Sequence, residues 1–289
     1  GATMEAVGVL HSLFYTTGVP GAAVAPTPGL AGDALTTYSG QIPYTNPSSG
    51  NGYLAGVNVN ATLVGTLLVC DRLWHNSGFT QTTTTAETVN SAAFPARDKA
   101  GSTNGDGVLV GLEVSTATTN AGAITNTTMS YTDQGGTAGK TATITSFPAT
   151  AVAGTFVPFQ LAAGDTGVRS IQTMTKGTSY VAGTMRLVAY RVLATIPINP
   201  ANAGLMADYA SVGFPRLFDN TVPFLLWRPS ATTAVTVQGE VLYAHGCPMG
   251  VSGNGDWPLR SPRTNRALAH RKSVDFAGAL ADHTVVLDL

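Results

Sequence analysis

The sequence predicts an all-β protein, an antiparallel β-sandwich or jelly roll with extended N- and C-terminal arms. Three observations predict it. Apolar residues recur with a period of two between turn residues from about residue 55 onward, threonine is dense through the middle of the chain, and stretches with helical spacing are few and short.

Taken in order, residues 1–54 hold Pro20, Pro26, Pro28, Pro43 and Pro47 among frequent Gly and Ser, which excludes a long helix and any central strand. Leu10, Leu13, Phe14, Tyr15, Ile42 and Tyr44 are scattered through this segment without a period. It is expected to be an arm laid over a neighbour, because it cannot make a core of its own.

Residues 55–246 form the predicted body. Ala61 to Cys70 is a continuous apolar run, and Val108, Val110, Leu112 and Val114 share one face of a strand. Further strands are expected at Ile124 to Thr132, Thr141 to Phe147, Thr155 to Leu161, Val168 to Met174 and Met185 to Leu193. Val235, Val237, Val241 and Tyr243 line one face of a last strand and are expected to share the core with Val108, Val110 and Leu112. Nineteen threonines between Thr80 and Thr150 favour a pleated, half-exposed surface through their branched Cβ. Short helices are expected only at Ala86 to Ala93 and Ala201 to Val212.

Residues 247–289 read as an extended tail. It carries Arg260, Arg263, Arg266, Arg271 and Lys272, five of the fifteen basic residues, and ends in the apolar Val285-Val286-Leu287-Asp288-Leu289. Such an end suits a strand that adds to another sheet edge. The basic cluster is the candidate partner-binding site, docking on an acidic neighbouring subunit. Nucleic acid is the lesser reading, because no aromatics interleave the cluster and Pro262 breaks any recognition helix.

Only 11% of residues are charged, against about 25% in an ordinary soluble domain, so a large part of the surface is expected to be covered by neighbours. The net charge of -1 gives no general attraction to polyanions or anionic membranes. No apolar run approaches the roughly 18 to 20 residues of a membrane span, and the first residues lack the basic region of a secretory signal. Two cysteines, Cys70 and Cys247, are too few for a disulfide framework, and Cys70 is expected to be a buried strand thiol.

Candidate chemistry is sparse. Gln134-Gly135-Gly136-Thr137-Ala138-Gly139-Lys140-Thr141 lacks the first glycine of a phosphate loop and runs into a β stretch instead of a helix, so a hairpin loop with Lys140 exposed is expected. Cys70, His75, His245 and Cys247 do not have the spacing of a zinc site, and Asn104-Gly105-Asp106-Gly107 reads as a turn. Asp71, Glu113, Asp133, Asp165 and Glu240 are expected at strand ends or exposed faces, with Asp71 and Arg72 as a structural ion pair. No nucleophile elbow or metalloprotease motif occurs, and neither catalysis nor a cofactor is expected.

Asp71-Arg72-Leu73-Trp74-His75, Gly111-Leu112-Glu113, Ser130 to Gln134 with Gly136, Gly139, Lys140 and Thr141, and Leu161 to Ser170 together resemble a family of tailed-bacteriophage virion structural proteins. The resemblance covers roughly residues 55–195. It implies a capsid-associated protein, made in the host cytoplasm and located in the virion. The chain lacks the long spine helix of the common tailed-phage shell fold, so a cement or decoration (minor capsid) protein is expected. Its partners would be further copies of itself, as a homotrimer, and the major capsid protein. A major coat subunit, a tail or fibre component, and a glycan-binding fibre module using Trp74, Trp227 or Trp257 are the alternatives.

Overall fold

The structure, a computed structural model, describes residues 4–246 and 284–288. It is all-β and antiparallel apart from single turns of helix. Its strands are β1 (Leu10–Ser12), β2 (Asp33–Ala34), β3 (Asn51–Ala61), β4 (Gly65–His75), β5 (Glu87–Thr88), β6 (Val108–Thr116), β7 (Ile124–Asp133) and β8 (Lys140–Phe147). There follow β9 (Thr155–Pro158), β10 (Val168–Thr175), β11 (Thr184–Ile198), β12 (Leu205–Ala207), β13 (Arg216–Leu217), β14 (Pro223–Pro229), β15 (Val237–Gly246) and β16 (Thr284–Asp288).

Six strands close on themselves in the order β11-β6-β9-β1-β14-β4, and β4 pairs back to β11 to complete a barrel, with β2 attached to the end of β4. A sheet of β5-β10-β7-β8 covers one side of this barrel, and a sheet of β12-β3-β15-β16 with β13 covers another. Each barrel strand therefore has one face inside and one face outside, and at several both are buried.

Three cores result. Leu73, Val108, Val110, Leu112 and Leu187 pack outward from the barrel against Met129, Tyr131, Ile144, Val168 and Ile171 of the first sheet. Leu67, Val69, Ile196, Leu225 and Trp227 pack against Leu54, Val57, Val59, Val237 and Val241 of the second. The third core, with Cys70, Phe156, Val188, Tyr190, Phe224 and Leu226, lies inside the barrel. Val110 and Val237 are thus both buried but in different cores, which corrects the expectation that their strands share one.

The apolar run Ala61 to Cys70 is two strands and not one. β3 ends at Ala61, the loop at 62–64 turns the chain, and β4 begins at Gly65. β4 carries its long apolar sequence because residues alternate between the barrel interior and the outer cores.

The N-terminal segment does not behave as an arm that leaves the body. β1 is a barrel stave between β9 and β14, with His11 opposite Trp227 and Thr155. Leu13, Phe14, Leu35 and Ile42 are buried in the chain's own cores. The prolines permit this, because β1 precedes the first of them, Pro20. The C-terminal Thr284–Asp288 adds to the edge of β15 in the same chain, whereas residues 247–283 lie outside the described residues.

Neither expected helix forms as a helix of useful length. Glu87–Thr88 pairs with Thr173 and Met174 of β10, and the NH groups of Val89 and Ser91 continue along that edge. From Ala201 to Val212 only Tyr209–Val212 is helical, bounded by the Asp208 side chain on the NH of Ser211 and by Gly213 at φ +74°.

Candidate functional site

The barrel interior holds a cluster of buried ionisable side chains. Alternation on β4 sends Cys70 and Arg72 inward, and alternation on β6 sends Gly111 and Glu113 inward. Gly111 makes room for the Phe156 ring, since a Cβ there would stand 2.2 Å from a ring carbon. Glu113 lies one step further along the same face, within reach of Arg72.

The Arg72 guanidinium donates to both carboxylate oxygens of Glu113, at 2.9 and 2.6 Å, and through Nε to Nδ1 of His75 at 3.2 Å. The Tyr15 hydroxyl donates to the same carboxylate at 3.0 Å. The Phe14 ring lies 4.4 Å from the guanidinium carbon and the Phe224 ring 5.4 Å, the two rings standing edge to face at 74°, so the cation meets two adjoining aromatic rings. Phe14 and Tyr15 come from the N-terminal segment, which plugs this end of the barrel. Both members of the pair have no exposed side-chain surface.

The electrostatics follow from that enclosure. Burial opposes ionisation of Glu113, but the Arg72 charge and the hydrogen bonds it receives outweigh burial and hold its carboxyl below the usual range. His75 is pushed down to about 2, by burial first and then by Arg72 and Arg186. His11 is pushed down to about 4 by burial, against a smaller pull from Glu113. Both imidazoles are neutral at pH 7, and burial also pushes the Cys70 thiol up. Chemically the cluster is a saturated ion pair that fixes β4, β6 and the plug to one another.

Outside the barrel, Arg97 donates to both oxygens of Asp71, at 3.0 and 3.1 Å, and to the carbonyls of Leu35 and Arg72. Asp71 and Arg72 therefore do not pair with each other, which corrects the expectation: neighbours on a strand point to opposite faces. Asp71 and Glu113 lie buried within their strands and not at exposed faces, whereas Asp133, also buried, stands at the expected strand end as the last residue of β7. Arg97 was missed because nothing near it in sequence marks its partner.

The glycine-rich stretch joins β7 to β8 as a hairpin, and Lys140 lies 3.6 Å from Asp133 and 3.5 Å from Asp165 while a third of its side chain stays exposed. Asn104 to Gly107 is a turn in which Gly105 takes φ +87°, and the Asp98 carboxylate accepts from the NH groups of Ala100, Ser102 and Gly105. Cys70 lies inside the barrel while His245 lies on β15 in the outer sheet, and among the described residues no three His, Cys, Asp or Glu side chains gather as metal ligands. Trp74 and Trp227 are fully buried and offer no face to a sugar, and Trp257 lies outside the described residues. The predicted partner-binding residues Arg260, Arg263, Arg266, Arg271 and Lys272 also lie outside the described residues.

Two hollows open on the surface. One of about 390 Å³ is lined by Arg97, Arg216, Phe218 and Asp219, and the other, of about 640 Å³, lies at the barrel end opposite the plug. No helix among the described residues is long and apolar enough to cross a membrane. No protein-family model, curated protein or solved structure matches this chain.

Proposed function

We propose that the protein is a structural subunit that works by assembly, a tailed-phage virion component of the cement or decoration kind. The observation that carries this reading is the outer face of β7, β8 and β10. Thr143, Thr128 and Thr175 lie in one row across the three strands, Thr141, Ser130 and Thr173 in the next, and Thr132 with Ser170 beyond them. This face is neither apolar nor charged.

A hydroxyl is both donor and acceptor, so such a face is satisfied by another like it without desolvating a charge. The overall charge content of 11% supports the same conclusion, because a free monomer would carry more solubilising charge. The buried Arg72–Glu113 and Asp71–Arg97 pairs serve the frame, which leaves the outer faces and the basic tail for partners. On this reading the chain forms homo-oligomers, most simply trimers, that bind the major capsid protein through the tail with Arg260, Arg263, Arg266, Arg271 and Lys272. Quantitative gels of purified particles test it: a band near the stoichiometry of the major capsid protein supports decoration, and absence from particles refutes it.

A further inference from the structure

The barrel is closed at one end by Phe14, Tyr15 and the Arg72–Glu113 pair, but its other end is hollow. The hollow of about 640 Å³ has Leu10, Leu68 and Phe156 among its lining residues, with Val157, Pro158 and Pro148. Phe156 is fully buried, as is Leu226 deeper in the barrel, so the space ends on packed side chains and does not run through. Gly8, Val9, Thr66, Ser146, Thr195 and Arg228 complete the lining.

Among the described residues, Arg228 is the one charged residue lining this hollow. It stands opposite Thr66 in the β14–β4 register, and β14 alternation puts it on the same side as the inward-facing Phe224 and Leu226. Its side chain is exposed and makes no hydrogen bond or ion pair among the described residues. The other arginines lining or near the barrel, Arg72, Arg186 and Arg191, are each buried and bonded. Among the described residues Arg228 is therefore a cation without a partner at the mouth of an apolar pouch.

Apolar hollows of roughly 300 to 1,000 Å³ with a few placed polar groups are the usual form of a small-molecule site, and barrel mouths are a usual place for them. We infer that the open barrel end binds a free aliphatic carboxylate of medium chain length, with its chain against Leu10, Leu68 and Phe156 and its head on Arg228. The aliphatic chain is satisfied by apolar burial, and the carboxylate meets a guanidinium that has no competing partner among the described residues. The hydroxyls of Thr66 and Thr195 stand at the same rim as further donors. This inference is independent of the assembly reading, since the pouch is complete within one chain.

The test is isothermal titration of the full chain with sodium dodecanoate below its micelle concentration. Dodecyltrimethylammonium, acetate and phosphatidylcholine–phosphatidylglycerol vesicles serve as the other arms. One dodecanoate is expected to bind per chain, with no binding of acetate and much weaker binding of the cationic amphiphile. Arg228→Gln, at an exposed position, is expected to weaken dodecanoate about fivefold or more, and Thr195→Trp, exposed at the rim, to block it. Circular dichroism and melting establish that each variant is folded. Dodecanoate that fails to bind, that binds equally to both variants, or that is matched by the cationic amphiphile would overturn the inference, as would binding to anionic vesicles alone.

Discussion

Arg72 and Glu113 are 41 positions apart in sequence and meet with no side-chain surface exposed to solvent, so each is tolerable only because of the other. Removing one partner of a fully buried pair costs about 3 to 5 kcal/mol, because an uncompensated charge remains. Arg72→Met and Glu113→Leu are each expected to destabilise by that order in urea denaturation, and the double variant is expected to recover a large part of the loss. Simple additivity of the two losses would contradict the account.

Two buried histidines, His75 in this cluster and His11 on β1, set a pH dependence with one sign. His11 and His75 have folded values below the ordinary 6.5, so below pH 6.5 the unfolded chain binds protons that the folded chain refuses, and stability falls with pH. For His11 the loss runs down to about pH 4 and amounts to roughly 3 kcal/mol at 1.36 kcal/mol per pH unit. Glu113, with its folded value lowered, adds a loss of the same sign as pH falls below about 4.3, the unfolded range. Denaturation midpoints between pH 7 and 4 are expected to fall steadily, and His11→Gln to flatten the slope. A midpoint independent of pH across that range would contradict the assignment of neutral, buried imidazoles.

At the scale of the element, the barrel strands explain both what the sequence discloses and what it hides. β6 is legible because Val108, Val110, Leu112 and Val114 repeat every second residue on a face that meets the outer core. Val110→Asp is expected to unfold the chain or nearly so, since its side chain is fully buried among apolar neighbours. Thermal melting measures this, and a shift of only a few degrees would show that the strand is not central. β1, by contrast, is three residues, Leu10–Ser12, with no period to detect. Its place in the barrel depends on Phe156, Thr155 and Trp227, more than 140 positions away, and no local pattern encodes that.

The sequence of residues 1–54 therefore predicts an outward arm, although its prolines and scattered apolar residues suit a strap over its own barrel equally well. The distinction is measurable. Deleting residues 1–16 removes β1 and the Phe14–Tyr15 plug, so the variant is expected to lose cooperative melting. A detachable arm would leave melting unchanged. The acidic residues were misplaced for a related reason: Glu113 looks like the polar interruption of an exposed strand, and only the closed barrel reveals that both faces of β6 are buried.

Across the whole molecule, three cores in one chain of 289 residues give a frame whose ionisable groups are largely committed to holding it together. Among the described residues, what remains outside includes a hydroxyl-covered sheet face. Sedimentation equilibrium of the full chain at micromolar concentration tests the proposed assembly most directly. A homo-oligomer, with the mass of a trimer, is the predicted result, and a stable, soluble monomer throughout that concentration range would contradict it.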